Sequence, residues 1–114
     1  MPIWGTCLGM QHMLKYIGGQ NAISSHPDIK KNKRLKFFVN PLLSKIFKDL
    51  AADALIFENH AMTYNYHNYG IGVGDFNGNA AISAFYNIIT TNVDENGIEY
   101  VSVMEAKNYP FYGV

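Results

Sequence analysis

The sequence has 114 residues, 48% of them apolar, with nine basic and nine acidic side chains and a formal net charge of zero. That length suits one domain with a sizeable core, and a balanced charge argues against a nucleic-acid partner, which calls for a basic excess. One Cys excludes an internal disulfide framework and a multi-Cys zinc site, and no apolar run approaches the roughly 20 residues of a membrane span.

Met1-Pro2-Ile3-Trp4 lacks the charged-then-apolar pattern of a signal peptide. Ile3-Trp4-Gly5-Thr6 reads as a short buried strand. After Cys7 the period changes: Leu8, Met13, Leu14 and Ile17 fall near one helical face, with Gly18-Gly19 as the stop. Residues 20–40 are polar and hold Lys30, Lys31, Lys33, Arg34 and Lys36, five of the nine basic residues, and are expected to form a solvated loop. Pro41 opens a predicted helix whose stripe of Leu42, Leu43, Ile46, Phe47 and Leu50 faces the core. Ala54–Phe57 is a strand candidate, 59–70 is rich in Asn, Tyr and His, and the glycines of 70–79 suggest a strand with close backbone packing or a bulge, then a turn at Asn77-Gly78. Residues 80–85 suit a short helix. Asn87–Asn92 and Ile98–Met104 form a hairpin about Asp94-Glu95-Asn96-Gly97, and an extended segment begins at Tyr109.

The chemistry centres on Gly5-Thr6-Cys7-Leu8-Gly9, which has the form Gly-x-nucleophile-x-Gly between a strand and a helix. This layout predicts a nucleophile elbow. A sharp turn strains the central residue, and flanking glycines relieve the crowding. The thiol projects from the carboxyl end of the sheet, where the helix dipole favours thiolate. The Leu8 amide is the expected oxyanion donor. A base is also needed, and four histidines are available. His12 should point away from the thiol on the elbow helix, and His26 should lie exposed before Pro27. His60 and His67 could wall a polar pocket, but their separation of seven does not match helical metal-ligand spacing. Trp4, Tyr64, Tyr66 and Tyr69 are read as packing residues. Nothing fixes a distance between Glu58 and Glu105, so carboxylate-pair chemistry has little support.

These motifs resemble a known family. Trp4-Gly5-Thr6-Cys7-Leu8-Gly9 is similar to the nucleophile segment of the γ-glutamyl hydrolases, of the class I glutamine amidotransferase-like superfamily. Asn65-Tyr66-His67-Asn68-Tyr69 resembles that family's Asn-aromatic-His segment. Thr90-Thr91-Asn92 with Gly97–Ser102 resembles its late hairpin, and Met104-Glu105 with Tyr109–Val114 resembles the approach to its catalytic His. The resemblance implies an α/β fold, a partial flavodoxin-like three-layer sandwich with a mainly parallel sheet and a late hairpin. It implies that residues 1–114 are one partial domain, truncated at both ends. It also implies a cysteine hydrolase of γ-glutamyl bonds in folylpoly-γ-glutamates, a small-molecule substrate, acting through a thioester without metal or cofactor.

On this resemblance Cys7 is the nucleophile, the Leu8 N–H an oxyanion donor, and His67 a substrate contact. The catalytic His belongs to a Gln-x-His-Pro-Glu motif that follows Tyr-Gly-Val in the family, so the isolated 114 residues are expected to be inactive. Gln11 fits the Gly-x-Cys-x-Gly-x-Gln signature of glutamine amidotransferases, where it helps hold substrate. An amidotransferase domain therefore stays an alternative, as does a non-catalytic truncated or degenerate member. A lysosomal, vacuolar or extracellular location is implied by family alone, and a homodimer is left open for the complete enzyme.

Overall fold

The computed structural model describes residues 1–114; the side chain of Lys30, one member of the basic run, lies outside the described residues. Strand β1 (Ile3–Gly5) leads directly into helix α1 (Leu8–Gly18), which buries Met10 and Leu14. Strands β2 (Ser24–Lys33) and β3 (Lys36–Phe37) follow, then two 3₁₀ turns at Pro41–Leu43 and Lys48–Leu50 and helix α2 (Ala51–Asn59). Strand β4 (Thr63–Gly70), helices α3 (Val73–Gly78) and α4 (Ala80–Phe85), and strands β5 (Tyr86–Val93), β6 (Glu99–Ala106) and β7 (Phe111–Gly113) complete the chain.

Five strands form a sheet in the order β1-β7-β6-β5-β3, and β2 and β4 form a separate two-stranded sheet. The fold is α/β, in keeping with part of a flavodoxin-like sandwich. Within these residues the sheet is mixed rather than mainly parallel: β1 and β7 run parallel, and the β7–β6, β6–β5 and β5–β3 pairs are antiparallel. The reason is connection length. β5, β6 and β7 are joined by short turns, which permit only antiparallel neighbours. At the β5–β6 turn Gly97 adopts φ 80°, and the Asp94 carboxylate accepts N–H bonds from Asn96 (2.8 Å) and Ile98 (3.1 Å).

Each face of the sheet carries a core. On one face, Met10 and Leu14 from α1 and Phe76 and Ile82 from α3 and α4 pack against Ile88 and Met104. On the other, Leu35 and Phe47 pack against Ile89 and Val103. The buried Glu105 anchors the second face, accepting bonds from the Ser44 hydroxyl (3.1 Å) and the Lys45 N–H (2.9 Å). It is a structural carboxylate.

Several expectations are corrected. The segment 20–40 is largely strand, because β2 pairs with β4 along its length; its two register shifts, at Ser25/Asp28 and Ile29/Lys31, break the alternation that marks a strand. Ala54–Phe57 lies inside α2, where Ala51, Ala52, Ala54 and Leu55 supply helix propensity, and only Ala54 of that helix is buried. Val73–Gly78 is helical rather than extended. The expected stripe after Pro41 is broken: Phe47 is buried, but Leu42, Leu43 and Leu50 are exposed, since two 3₁₀ turns do not keep a 3.6-residue period. Close backbone packing does occur at Gly72, where an added Cβ would lie 3.3 Å from the His26 ring.

Candidate active site

Cys7 occupies the junction of β1 and α1 with φ 55° and ψ −109°, the one non-glycine residue with positive φ among the described residues. The geometry follows from what holds the two sides. The Val114 N–H donates to the Gly5 carbonyl and the Cys7 N–H donates to the Val114 carbonyl, both at 2.9 Å, fixing the chain to the β7 edge. Two residues later the Gly9 N–H already bonds the Thr6 carbonyl at 2.9 Å. The strand must therefore turn into a helix within Thr6 and Cys7, in a region that side chains enter at a cost of about 1–3 kcal/mol.

The two flanking glycines are not equivalent. A Cβ on Gly5 would lie 2.8 Å from the Gly9 carbonyl carbon and 2.5 Å from Met13 Sδ, whereas a Cβ on Gly9 would meet nothing within 4 Å. Only Gly5 is required sterically. Gly5→Ala should lower stability by about 2–3 kcal/mol, because a backbone contact cannot swing aside, while Gly9→Ala should change it by less than about 1 kcal/mol. Chemical denaturation of the full-length protein carrying each change checks the contrast.

The Cys7 side chain is exposed. Leu8 supplies the first amide of α1, which has no acceptor within the helix, as an oxyanion donor requires. Thr6, Cys7, Gln11, His67, Tyr100 and Val114 share the lining of a cavity of about 340 Å³. The cavity thus brings together three of the residues singled out in the sequence, with Leu8 beside them on α1. Gln11 Nε2 donates to the Tyr69 carbonyl (3.1 Å), tying α1 to β4 across the cavity. A larger hollow of about 890 Å³, bordered by Ile3, His12, Tyr16 and Phe111, does not include Cys7 in its lining.

The other histidines are accounted for. His12 is exposed on α1, as expected, and His60 is exposed at the end of α2. His26 is a correction: it is buried, with Nδ1 2.8 Å from Asp94 Oδ2 and Nε2 3.1 Å from Ser24 Oγ. The bulge in β2 turns it inward, where it joins the β2–β4 arm to the β5–β6 turn. Burial raises the Asp94 carboxyl, but bonds from Ile98, His26 and Asn96 outweigh this and hold it below the usual carboxylate range. Trp4, Tyr64, Tyr66 and Tyr69 are also corrected, all being more than half exposed. The three tyrosines border the cavity containing Cys7.

Sequence reasoning missed the groups behind His67. Asp28 is fully buried, with its Oδ2 2.6 Å from Lys33 Nζ, and it accepts a bond from the Tyr100 hydroxyl at 2.9 Å. His67 Nε2 lies 3.3 Å from that hydroxyl. Burial is the main influence on His67 and lowers it below the ordinary imidazole value of 6.5. Asp28 and the His26 carbonyl oppose the shift, and the His26 and Lys33 charges reinforce it. A lone Asp among lysines, at Asp28, was the available signal; nothing in the sequence tied it to Tyr100. Among the described residues no cluster of metal-binding side chains occurs, and no helix is long and apolar enough to cross a membrane.

The comparisons agree on one lineage. The family model for glutamine amidotransferase class-I matches residues 1–114. The chain is 33% identical over 114 residues to a protein of Bos taurus named gamma-glutamyl hydrolase, covering 99% of this chain and 36% of that protein. A gamma-glutamyl hydrolase of Mus musculus is 35% identical over 116 residues, covering 99% and 36%. Gamma-glutamyl hydrolase B of Dictyostelium discoideum is 30% identical over 115 residues, covering 99% and 33%. The chain spans about a third of the length of these curated relatives.

Proposed function

Because the chain belongs to the class-I glutamine amidotransferase family, matched over residues 1–114, we propose that the protein carrying it hydrolyses γ-glutamyl amide bonds with Cys7 as nucleophile. The observation that carries this reading is the backbone of Cys7. A strained, exposed thiol at a helix N-terminus, on the wall of a cavity, is what covalent acyl transfer needs. The relatives' name points to the γ-glutamyl bond, and the proposed substrate class is the folylpoly-γ-glutamates.

The Cys7 thiolate attacks the γ-carbonyl, and the Leu8 N–H stabilises the oxyanion. The intermediate collapses to a thioester as the downstream glutamate leaves with a proton on its amine, and water then releases the shortened γ-glutamyl chain and the free thiol. Among the described residues Cys7 Sγ has no histidine within hydrogen-bond reach. A residue continuing β7 past Val114 would emerge beside the thiol, since the Val114 carbonyl accepts the Cys7 N–H. The proposed base enters there, and the 114 residues alone would then be inactive. Gln11 favours a second reading, glutamine hydrolysis for amide transfer, because it borders the same cavity. The test is incubation of the full-length protein with γ-glutamyl peptides and with free glutamine. Glutamate released from the peptides, with Cys7 trapped as an acyl-enzyme in mass spectra of acid-quenched samples, is the expected result. Turnover of free glutamine alone would favour the second reading.

A further inference from the structure

The basic run between Lys31 and Lys36 has no part in the reaction proposed above. Two of its cations are committed elsewhere: Lys33 Nζ lies 2.6 Å from the buried Asp28 carboxylate, and Lys36 Nζ lies 3.2 Å from Glu99 Oε2. Lys31 and Arg34 are exposed and make no ion pair among the described residues. Their place relative to Cys7 follows from the sheet. The order β1-β7-β6-β5-β3 puts β3 four strand spacings from β1, about 19 Å at about 4.8 Å each. At the end of the sheet where Cys7 follows β1, the cavity wall runs from Val114 through Ser102 and Asn92 to Leu35. Two hydrogen bonds join this row: Ser102 Oγ donates to Asn92 Oδ1, and Asn92 Nδ2 donates to the Arg34 carbonyl. Arg34 therefore stands at the end of the cavity away from the thiol.

The β2–β4 arm gives the same length. Gln11 ties the arm to α1 at Tyr69, and Thr63, six residues back along β4, pairs with Lys33 about 20 Å away at about 3.3 Å per residue. Lys31 pairs with Asn65, about 13 Å from Tyr69 on the same scale. A γ-linked glutamate chain advances five backbone bonds per residue where an α-peptide advances three, so its repeat is about 6 Å. Each repeat carries one free α-carboxylate. Lys31 and Arg34 thus stand about two and about three repeats from the thiol end of the cavity. We propose that they form a carboxylate subsite, which binds the second and third α-carboxylates of a γ-linked glutamate chain, counted from the scissile bond, and so favours longer chains. Arg34 can meet a carboxylate through two parallel N–H bonds, and Lys31 meets one as a point charge. The choice of ligand rests on the γ-glutamyl reading above; the subsite itself rests on spacing and charge.

The test measures binding by titration calorimetry to the full-length protein carrying Cys7→Ala, and turnover by the unsubstituted protein. The ligands are γ-linked glutamate oligomers of two and five residues. The pentamer should bind about five- to tenfold more tightly than the dimer, as two exposed ion pairs predict. That margin should shrink toward none in about 0.5 M NaCl. Adding Lys31→Gln and Arg34→Gln should bring the ratio of pentamer to dimer affinity near one. An α-linked pentaglutamate carries as many carboxylates at a shorter spacing and should bind no better than the γ-linked dimer. Equal affinity for dimer and pentamer in the protein with Lys31 and Arg34 intact would overturn the proposal. So would a folded double variant that keeps the length preference, or an α-linked pentamer that binds as tightly as the γ-linked one. Length-dependent binding without turnover would count against the reaction assigned above and leave the subsite standing; turnover without length dependence would do the reverse.

Discussion

Cys7→Ser in the full-length protein should reduce turnover of a γ-glutamyl peptide by about 10³-fold or more, with the fold intact. The loss follows from the chemistry, since a hydroxyl is a far weaker nucleophile than a thiolate and a base placed for a thiol does not make up the difference. A companion change separates chemistry from strain. Cys7 holds φ 55° and ψ −109°, a conformation that glycine enters freely. Cys7→Gly should therefore abolish turnover yet gain about 1 kcal/mol of stability, despite the greater freedom of glycine in the unfolded chain. Measured kcat and denaturation midpoints decide both points. Retained activity in Cys7→Ser would overturn the nucleophile assignment, and a destabilised Cys7→Gly would show that the backbone is not strained.

The elbow was legible in the sequence because its signals are local. A β-branched strand, a glycine that must pass a helix backbone, and a change of period within five residues all lie between Ile3 and Leu8. The β5–β6 hairpin was legible for the same reason, with Asp94 and Gly97 supplying the turn chemistry. The β2–β4 arm was not. Its pairing partners lie 30 or more residues apart, and its bulges remove the alternation by which a strand is read. The same bulges rotate His26 and Asp28 inward, so a run that reads as a solvated basic loop hides two buried ionisable groups. Half of the candidate site was therefore visible: Cys7, Leu8 and Gln11 on one continuous segment. The other half, in which His67 rests on Tyr100 and Asp28, is assembled from three strands and has no sequence signature. The resemblance pointed to His67 but gave no reason for its position.

That hidden half also carries a large expected effect on stability. Asp28 is fully buried, and Lys33 is the cation that compensates it, with its own side chain about one-quarter exposed. Removing one partner of a fully buried pair costs about 3–5 kcal/mol, since the other charge is left uncompensated. Partial exposure of Lys33 lets water take some of its role, so Lys33→Met should cost about 2–3 kcal/mol. The penalty lies in the orphaned carboxylate rather than in the lost attraction. Adding Asp28→Asn should then recover more than half of it, because the neutral amide can still accept the Tyr100 bond. A double-mutant cycle in the full-length protein measures this directly; a double variant no more stable than Lys33→Met would refute it. His67 adds a pH signature. Its folded pKa lies below 6.5, so below pH 6.5 the unfolded state binds the proton more readily. Its contribution is then fully present above pH 6.5 and is lost as pH falls toward the folded value. His67→Gln should flatten that part of the stability profile, and an unchanged slope between pH 6.5 and 5 would show that the ring is not held neutral by the fold.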